Sequence, residues 1–244
     1  MYLGIPRLGV VNRKSGAAGV VMPTPLIRIS AQSVIGTADG VTITAISNTG
    51  SGGATYDATS DSGSPPVKQT ASGNPVMRFN TTTAKSLQLA NFFDAASNSS
   101  LFMVADQTST RCVVWGGGAV DGTGSCFFGY GADDGSTVLY RNSGDSGLTQ
   151  GSLSAVTGLK VFGLVIGADA GTLTYYDNST TGVGASGTAG TFRYRKIGAR
   201  DSGGSVDAQP SGADIAEAIY YNSALSASDA AAVITTLKTL YGIA

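Results

Sequence analysis

Apolar and polar residues alternate over short stretches through most of the chain, which is the pattern of half-buried β-strands. Clear examples are 26–29 (Leu-Ile-Arg-Ile) and 41–46 (Val-Thr-Ile-Thr-Ala-Ile), and the apolar run 161–166 indicates a fully buried strand. Further strands are predicted at 74–80, 86–89, 101–105, 112–115, 126–130, 137–141, 171–176, 191–198 and 214–222. Because turn residues separate these segments and no helical pattern lies between them, the chain predicts an all-β antiparallel sandwich.

Stretches rich in Gly, Ser, Asp and Pro are predicted to form the loops between these strands. The longest of them cover 48–66, 116–125 and 199–213. The second loop contains the run Gly116–Gly118, which lacks a following Lys-Ser/Thr and therefore indicates a hairpin loop and not a phosphate-binding loop.

The closing segment, from Leu225 to Tyr241, is the one clear helical pattern. Ser226 is predicted to cap its start, with Asp229 three residues later, and Gly242 suits the left-handed residue that ends a helix. One apolar stripe should face the sandwich, formed by Val233, Leu237, Leu240 and Tyr241.

Composition favours a folded, non-basic protein. Of the 244 residues, 42% are hydrophobic, only 13% are charged and 35 are glycine, which is not a disordered composition. The net charge of −1 gives no general attraction to nucleic acid or anionic membranes, and no apolar run is long enough to span a bilayer. The N-terminus lacks a charged region ahead of an apolar one, so a secretory signal is not expected and synthesis in a cytoplasm is predicted.

Cys112 and Cys126 flank the second predicted loop at near-equal offsets, so a hairpin would place them opposite each other. A disulfide and a pair of buried thiols both fit this arrangement, and the expected absence of a secretory signal favours the thiols. Two cysteines without any histidine do not make a zinc site.

Residues 1–24 show no persistent strand or helix period, contain basic residues and lack acidic ones. We predict an extended arm that contacts a neighbouring subunit, the alternative being a free tail. The domain itself is predicted to cover 25–244. The residues of the arm expected at the intersubunit contact are Tyr2, Leu3, Ile5, Arg7 and Leu8.

Several segments, in this order, resemble concanavalin A-like lectin/glucanase (laminin G-like) domains of the bacterial and phage type. They are 73–80, 101–105, 160–165, 175–178, 196–198, 215–222, 224–233 and 240–243. The resemblance covers about residues 25–244 and is most specific at the C-terminal end. It implies a two-sheet jelly roll, but not an activity, because that superfamily includes hydrolases, lectins and structural modules.

The glucanase branch of this superfamily places carboxylates at alternate positions of one strand, since glycoside hydrolysis generally uses two of them. Glu217 is the only glutamate, and its predicted neighbours on the same strand face are Ile215 and Ile219. We therefore predict a protein that is not an enzyme. The sequence also lacks histidine, the usual base beside a serine or cysteine nucleophile.

Glu217 itself is predicted to lie on a buried face. Such a carboxylate needs hydrogen-bond partners, and a structural role paired with arginine is favoured over a ligand or metal contact. The candidate partners are Arg193, Arg195 and Arg200. No cofactor or metal is predicted: some laminin G-like domains bind calcium, but turn chemistry also accounts for Asp121, Asp133 and Asp134.

Carbohydrate binding combines an aromatic face with planar polar groups. Trp115, Tyr130 and Tyr140 stand at predicted strand ends beside Gly/Asp loops and are the candidates for such a site, the alternative being that they pack in the core or at a subunit interface. The segment Arg193–Lys196 is a local basic-aromatic patch that indicates a solvated or intersubunit face.

The sequence therefore predicts a non-catalytic structural protein of a bacteriophage particle, made in the host cytoplasm and located in the virion. It would decorate the capsid or form part of the tail as a homo-oligomer that contacts a major capsid or tail protein. The alternative is a lectin module that binds host or environmental glycans. Neither hypothesis includes a nucleic-acid or membrane partner.

Overall fold

A computed structural model describes residues 21–61, 65–79, 85–95, 98–107, 112–119, 125–130, 140–142, 158–168, 172–185, 192–202, 205–210 and 212–244. The strands in chain order are β1 (Ile27–Ser30), β2 (Ala45–Ile46), β3 (Ala58–Ser60), β4 (Val67–Ala71), β5 (Asn74–Arg78), β6 (Leu87–Ala95), β7 (Ser99–Gln107), β8 (Cys112–Ala119), β9 (Ser125–Tyr130), β10 (Tyr140–Asn142), β11 (Lys160–Ile166), β12 (Leu173–Asp177), β13 (Val183–Ala185), β14 (Phe192–Ile197), β15 (Ala199–Ser202), β16 (Ser205–Pro210) and β17 (Ala213–Tyr221). The helix α1 spans Ala227–Tyr241, and 3₁₀ turns cover Ala31–Val34 and Gly53–Tyr56.

These strands form two antiparallel sheets, which confirms the predicted all-β sandwich with a C-terminal helix. Among the described residues, sheet A has the order β13-β12-β11-β7-β17-β5-β4, and β1 pairs with β17 beyond the end of β5. Sheet B has the order β10-β9-β8-β14-β6-β3-β2, and β15 and β16 form a separate hairpin. None of the described helical segments has the length and apolar character that crossing a bilayer requires.

The facing sides of the two sheets enclose the inter-sheet core, whose members include Ile27, Ile29, Leu87, Leu89, Leu101, Met103, Trp115, Phe128, Leu164, Ile215 and Ala218. An aromatic group joins the sheets across it. Phe93 lies 5.1 Å from Trp115 and 5.4 Å from Tyr194 within sheet B, and 4.2 Å from Tyr220 of sheet A, as ring centroids. Aromatic contacts of this kind add to the burial of apolar area that holds the sandwich together.

Helix α1 covers the other face of sheet A and gives the molecule a third layer. This helix-side cluster includes Ala230, Val233, Ile234, Leu237 and Tyr241 of the helix and Val76, Phe102, Val104, Val161 and Ile219 of the sheet. The predicted cap is confirmed, since Ser226 Oγ accepts a hydrogen bond from Asp229 N (3.1 Å) and Gly242 has φ +63°. The predicted stripe was wrong at Leu240, which is 44% exposed, and it missed Ile234, which is buried in the helix-side cluster.

A β-bulge in β17 changes which of its residues share a face. Ile215 pairs with Ala105 but Glu217 pairs with the next residue, Val104, so Ala216 is the extra residue. Ile215 consequently belongs to the inter-sheet core and Ile219 to the helix-side cluster. The prediction that Glu217 lies on the same strand face as both Ile215 and Ile219 was therefore wrong, because it assumed an uninterrupted strand period and the two isoleucines face opposite sides of the sheet.

The long predicted loops contain more structure than expected. The 48–66 segment includes a 3₁₀ turn and β3, and its first residue organises it. The Asn48 side chain accepts hydrogen bonds from Arg28 N (2.7 Å) and Gly50 N (2.9 Å), and donates to Leu26 O (3.2 Å) and Gly53 O (3.1 Å). The 199–213 segment contains β15 and β16, and β4 was not predicted because its sequence is mostly polar.

The Gly116–Gly118 run lies within β8, so the predicted hairpin loop was wrong there. A Cβ atom at Gly117 would stand 1.8 Å from the carbonyl oxygen of Arg193, which shows how closely β14 approaches β8 at this point. The register pairs Cys112 with Tyr130 and Cys126 with Gly117. The two cysteines are therefore not opposite each other, because the residue opposite Cys112 is Tyr130, four residues along β9 from Cys126. At the rise of a strand this offset is about 13 Å, which is beyond the reach of a disulfide.

The predicted arm lies mostly outside the described residues, and with it the expected contacts of Tyr2, Leu3, Ile5, Arg7 and Leu8. The described end of the segment lies against the domain. Met22 packs on the helix-side cluster, and the hydroxyl of Tyr221 donates to Pro23 O (3.1 Å).

Candidate functional site

Glu217 is fully buried at the point where β1, β17 and α1 meet. Arg28 of β1 donates from Nε to Glu217 Oε1, and the hydroxyl of Tyr241 donates to Oε2 (2.7 Å). The Arg28 side chain is 26% exposed, so its charge reaches the surface while the carboxylate does not. The carboxylate thus links the closing helix to two strands of sheet A.

The partners of Glu217 differ from those predicted. Arg193 pairs with Asp94, Arg195 lies beside Gln88, and the side chain of Arg200 is outside the described part. Arg28 was overlooked because it is remote in sequence, although the register pairs Ser30 with Glu217 and so brings β1 alongside. Burial raises the pKa of the Tyr241 hydroxyl, and the adjacent charge of Glu217 raises it further. This hydroxyl therefore stays protonated and donates its hydrogen bond to the carboxylate.

A second charged group crosses three neighbouring strands of sheet A. The register places Asp214 between Asp106 of β7 and Arg78 of β5. Arg78 donates from Nε and Nη2 to the two oxygens of Asp214 (2.7 and 2.6 Å), and Asp214 is 1% exposed. Asp106 accepts from Gly158 N (3.1 Å). Burial raises the pKa of Asp106, and the charge of Asp214 acts in the same direction.

These contacts show what the buried carboxylates do in the fold. Both oxygens of Glu217 and both oxygens of Asp214 accept hydrogen bonds from side chains of other elements. Such contacts satisfy buried charges that would otherwise be costly. In the described ranges no three His, Cys, Asp or Glu residues come together as a metal-binding group.

The structure describes the side chain of one of the three predicted carbohydrate residues, Trp115. Trp115 is fully buried in the inter-sheet core, its ring edge-on to Phe93, and its Nε1 has no described hydrogen-bond partner. A ring without exposed surface is not available for stacking on a sugar, so Trp115 follows the alternative of core packing. Tyr130 ends β9 and Tyr140 begins β10, and their side chains lie outside the described part.

The outer face of sheet B presents an aromatic and charged surface formed by β6 and β14. Phe92 is 45% exposed, and the Arg193 guanidinium lies over its ring, 4.0 Å from the centroid. Arg193 is held there by its cross-strand partner Asp94, through Nε to Oδ1 (3.0 Å) and Nη2 to Oδ2 (3.4 Å). The guanidinium is thus fixed in orientation from two sides.

Arg195 extends this surface along β14 and is exposed. With the Gln88 carboxamide assigned so that its oxygen faces the guanidinium, that oxygen accepts hydrogen bonds from Arg195 Nε (3.3 Å) and Nη2 (2.9 Å). We call these residues the sheet B platform: Gln88, Phe92, Asp94, Arg193 and Arg195. Only part of the predicted basic-aromatic patch, Arg193–Lys196, therefore reaches the surface. Tyr194 is in the core, and Lys196 is buried in an ion pair with Asp61 (2.9 Å).

Sequence reasoning did not identify Phe92. Two adjacent phenylalanines occupy β6, and a strand sends neighbouring side chains to opposite faces, so one of them must face outward. The pattern alone did not say which one. Asp94 could have supplied the signal, since it shares a face with Phe92.

No protein-family model matches the chain, and no curated protein matches it. Among solved structures it is similar to Trypanosoma rangeli sialidase in complex with 2,3-difluorosialic acid, with 13% identity and a TM-score of 0.53 over 95% of this chain and 36% of that one. The same enzyme in complex with 2,3-difluoro-KDN gives 12% identity and 0.53 over the same shares. The botulinum neurotoxin type G receptor-binding domain gives 10% identity and a TM-score of 0.46 over 88% and 52%.

This chain spans about a third of the length of the sialidases that it matches (36%). Those neighbours are enzymes, but at such low identity the likeness concerns the fold and carries no activity across. The likeness to the sialidases supports a β-sandwich fold.

Proposed function

We propose that this chain is a non-catalytic contact protein with a concanavalin A-like β-sandwich, acting as a structural component of a phage particle in capsid decoration or in the tail. The observation that carries the contact role is the sheet B platform, where Phe92 stays half-exposed under the guanidinium of Arg193. The phage assignment rests on the sequence resemblance.

The composition of the platform supports a contact role. Aromatic residues and arginine are enriched where proteins bind one another, because they offer large, rigid contact areas with polar edges. Arg193 is pre-ordered by Phe92 and Asp94, so little side-chain freedom would be lost on binding. On the opposite side of the sandwich, sheet A carries α1 as a cover over much of its outer face.

The engagement of the buried carboxylates supports a role without proton transfer. A hydrolytic pair needs one carboxyl that gives a proton and another that attacks or activates water. Glu217 and Asp214 are each held on both oxygens by structural partners, with 0% and 1% exposure. These two carboxylates are therefore suited to stabilising the contacts between elements of the fold.

The assembly part of this proposal is tested by sedimentation velocity over a concentration series. Wild-type protein is expected to form species larger than one chain, and Phe92→Ser and Arg195→Glu are expected to shift it toward single chains without lowering the melting temperature. Ile35→Ser is the matched control, because Ile35 is 63% exposed and lies next to the 3₁₀ turn Ala31–Val34. A wild-type protein that sediments as one chain at every concentration would argue against self-assembly.

The alternative function is carbohydrate binding through the same platform. It is favoured by the exposed aromatic ring with guanidinium, carboxylate and carboxamide groups around it, since these are the groups that meet the C–H and hydroxyl surfaces of a sugar. A glycan array separates the two functions. A saturable hit that disappears in Phe92→Ser but persists in Ile35→Ser supports the lectin, and the absence of any hit supports the structural role.

A further inference from the structure

We draw no further inference here: the strongest candidate, the cross-strand carboxylates Asp106 and Asp214 beside Arg78 on sheet A, carries nothing, because Asp214 is already neutralised by Arg78 and no second observation among the described residues points to a ligand there.

Discussion

Glu217 joins three parts of the chain that are distant in sequence, through Arg28 of β1 and Tyr241 of α1. Removing one member of a buried ion pair lowers stability more than replacing both members by apolar residues, because the remaining charge keeps its desolvation cost. Partial exposure of Arg28 moderates this cost, since water can reach its guanidinium. The predicted role of Glu217 as a structural carboxylate is therefore best tested through stability.

We expect Glu217→Gln to lower the free energy of unfolding by about 2 kcal/mol, because the amide keeps the size of the side chain but not its charge. Urea denaturation would measure the change. Asp94→Asn is the matched control: it weakens an exposed ion pair that water screens, so its effect on the free energy of unfolding should be much smaller. Equal effects of the two substitutions would contradict the structural role of Glu217, as would an unchanged stability of Glu217→Gln.

Asp106 gives a pH-dependent prediction in which the substitution raises stability, whereas Glu217→Gln lowers it. Burial raises its pKa above the ordinary value of 3.8, so the ionised form is less favourable in the folded than in the unfolded chain. The stabilising contribution of the protonated form is complete below the unfolded pKa and is lost as the pH rises through the folded pKa. Ionised Asp106 therefore lowers stability at neutral pH.

We accordingly expect Asp106→Asn to melt at a higher temperature than wild type at pH 7, with the difference shrinking at pH 3. The asparagine oxygen can still accept the hydrogen bond from Gly158, so the local geometry is kept. Differential scanning calorimetry at the two pH values checks this. A difference that is equal at both, or a lower melting temperature at pH 7, would contradict it.

At the scale of elements, the turn between β14 and β15 depends on Gly198. This residue has φ +84°, and a Cβ atom there would lie 2.0 Å from the ring of Phe79. The chain leaves sheet B at this point to form the β15–β16 hairpin, so the turn combines an unusual backbone conformation with close packing. Gly40 has the same φ, but no atom lies within 4 Å of the position that a Cβ atom would take there.

We therefore expect Gly40→Ala to cost about 1 kcal/mol, which is the penalty of a left-handed alanine. Gly198→Ala should cost at least ~3 kcal/mol, because the overlap with Phe79 adds to the same backbone penalty. Chemical denaturation of both variants gives the comparison. Equal losses would show that packing at Phe79 adds nothing.

The elements were predictable where a regular period continues through them. Helix α1 follows from its cap, its stripe and Gly242, and β1, β7 and β11 follow from their apolar positions. Elements with polar sequences, such as β4 and β16, carry no such signal and depend on pairing with their neighbours. The bulge in β17 was not predicted either. Its one extra residue reverses the faces of all residues of the strand that come before it.

At the scale of the whole molecule, the fold could be predicted from sequence, but the candidate surface only in part: the Arg193–Lys196 patch indicated its β14 side, whereas Phe92 and Asp94 of β6 were not identified. The sequence pointed to Trp115, an aromatic beside a glycine run, whereas the structure places it in the inter-sheet core. The sheet B platform depends on which face of β6 looks outward and on the register of Asp94 with Arg193. Both are long-range properties of strand pairing. The limits of the arm and domain, and a location in the virion, stay predictions.

Hydroxyl-radical footprinting of Phe92 in dilute and concentrated wild-type protein tests the central claim most directly, because it reports the exposure of that ring itself. If the sheet B platform makes the contact, Phe92 should be oxidised several-fold less in the concentrated sample, while Ile35 and Val183, which are 63% and 52% exposed, should react equally in both. Equal oxidation of Phe92 at the two concentrations, in a sample that sedimentation shows to be assembled, would contradict the claim.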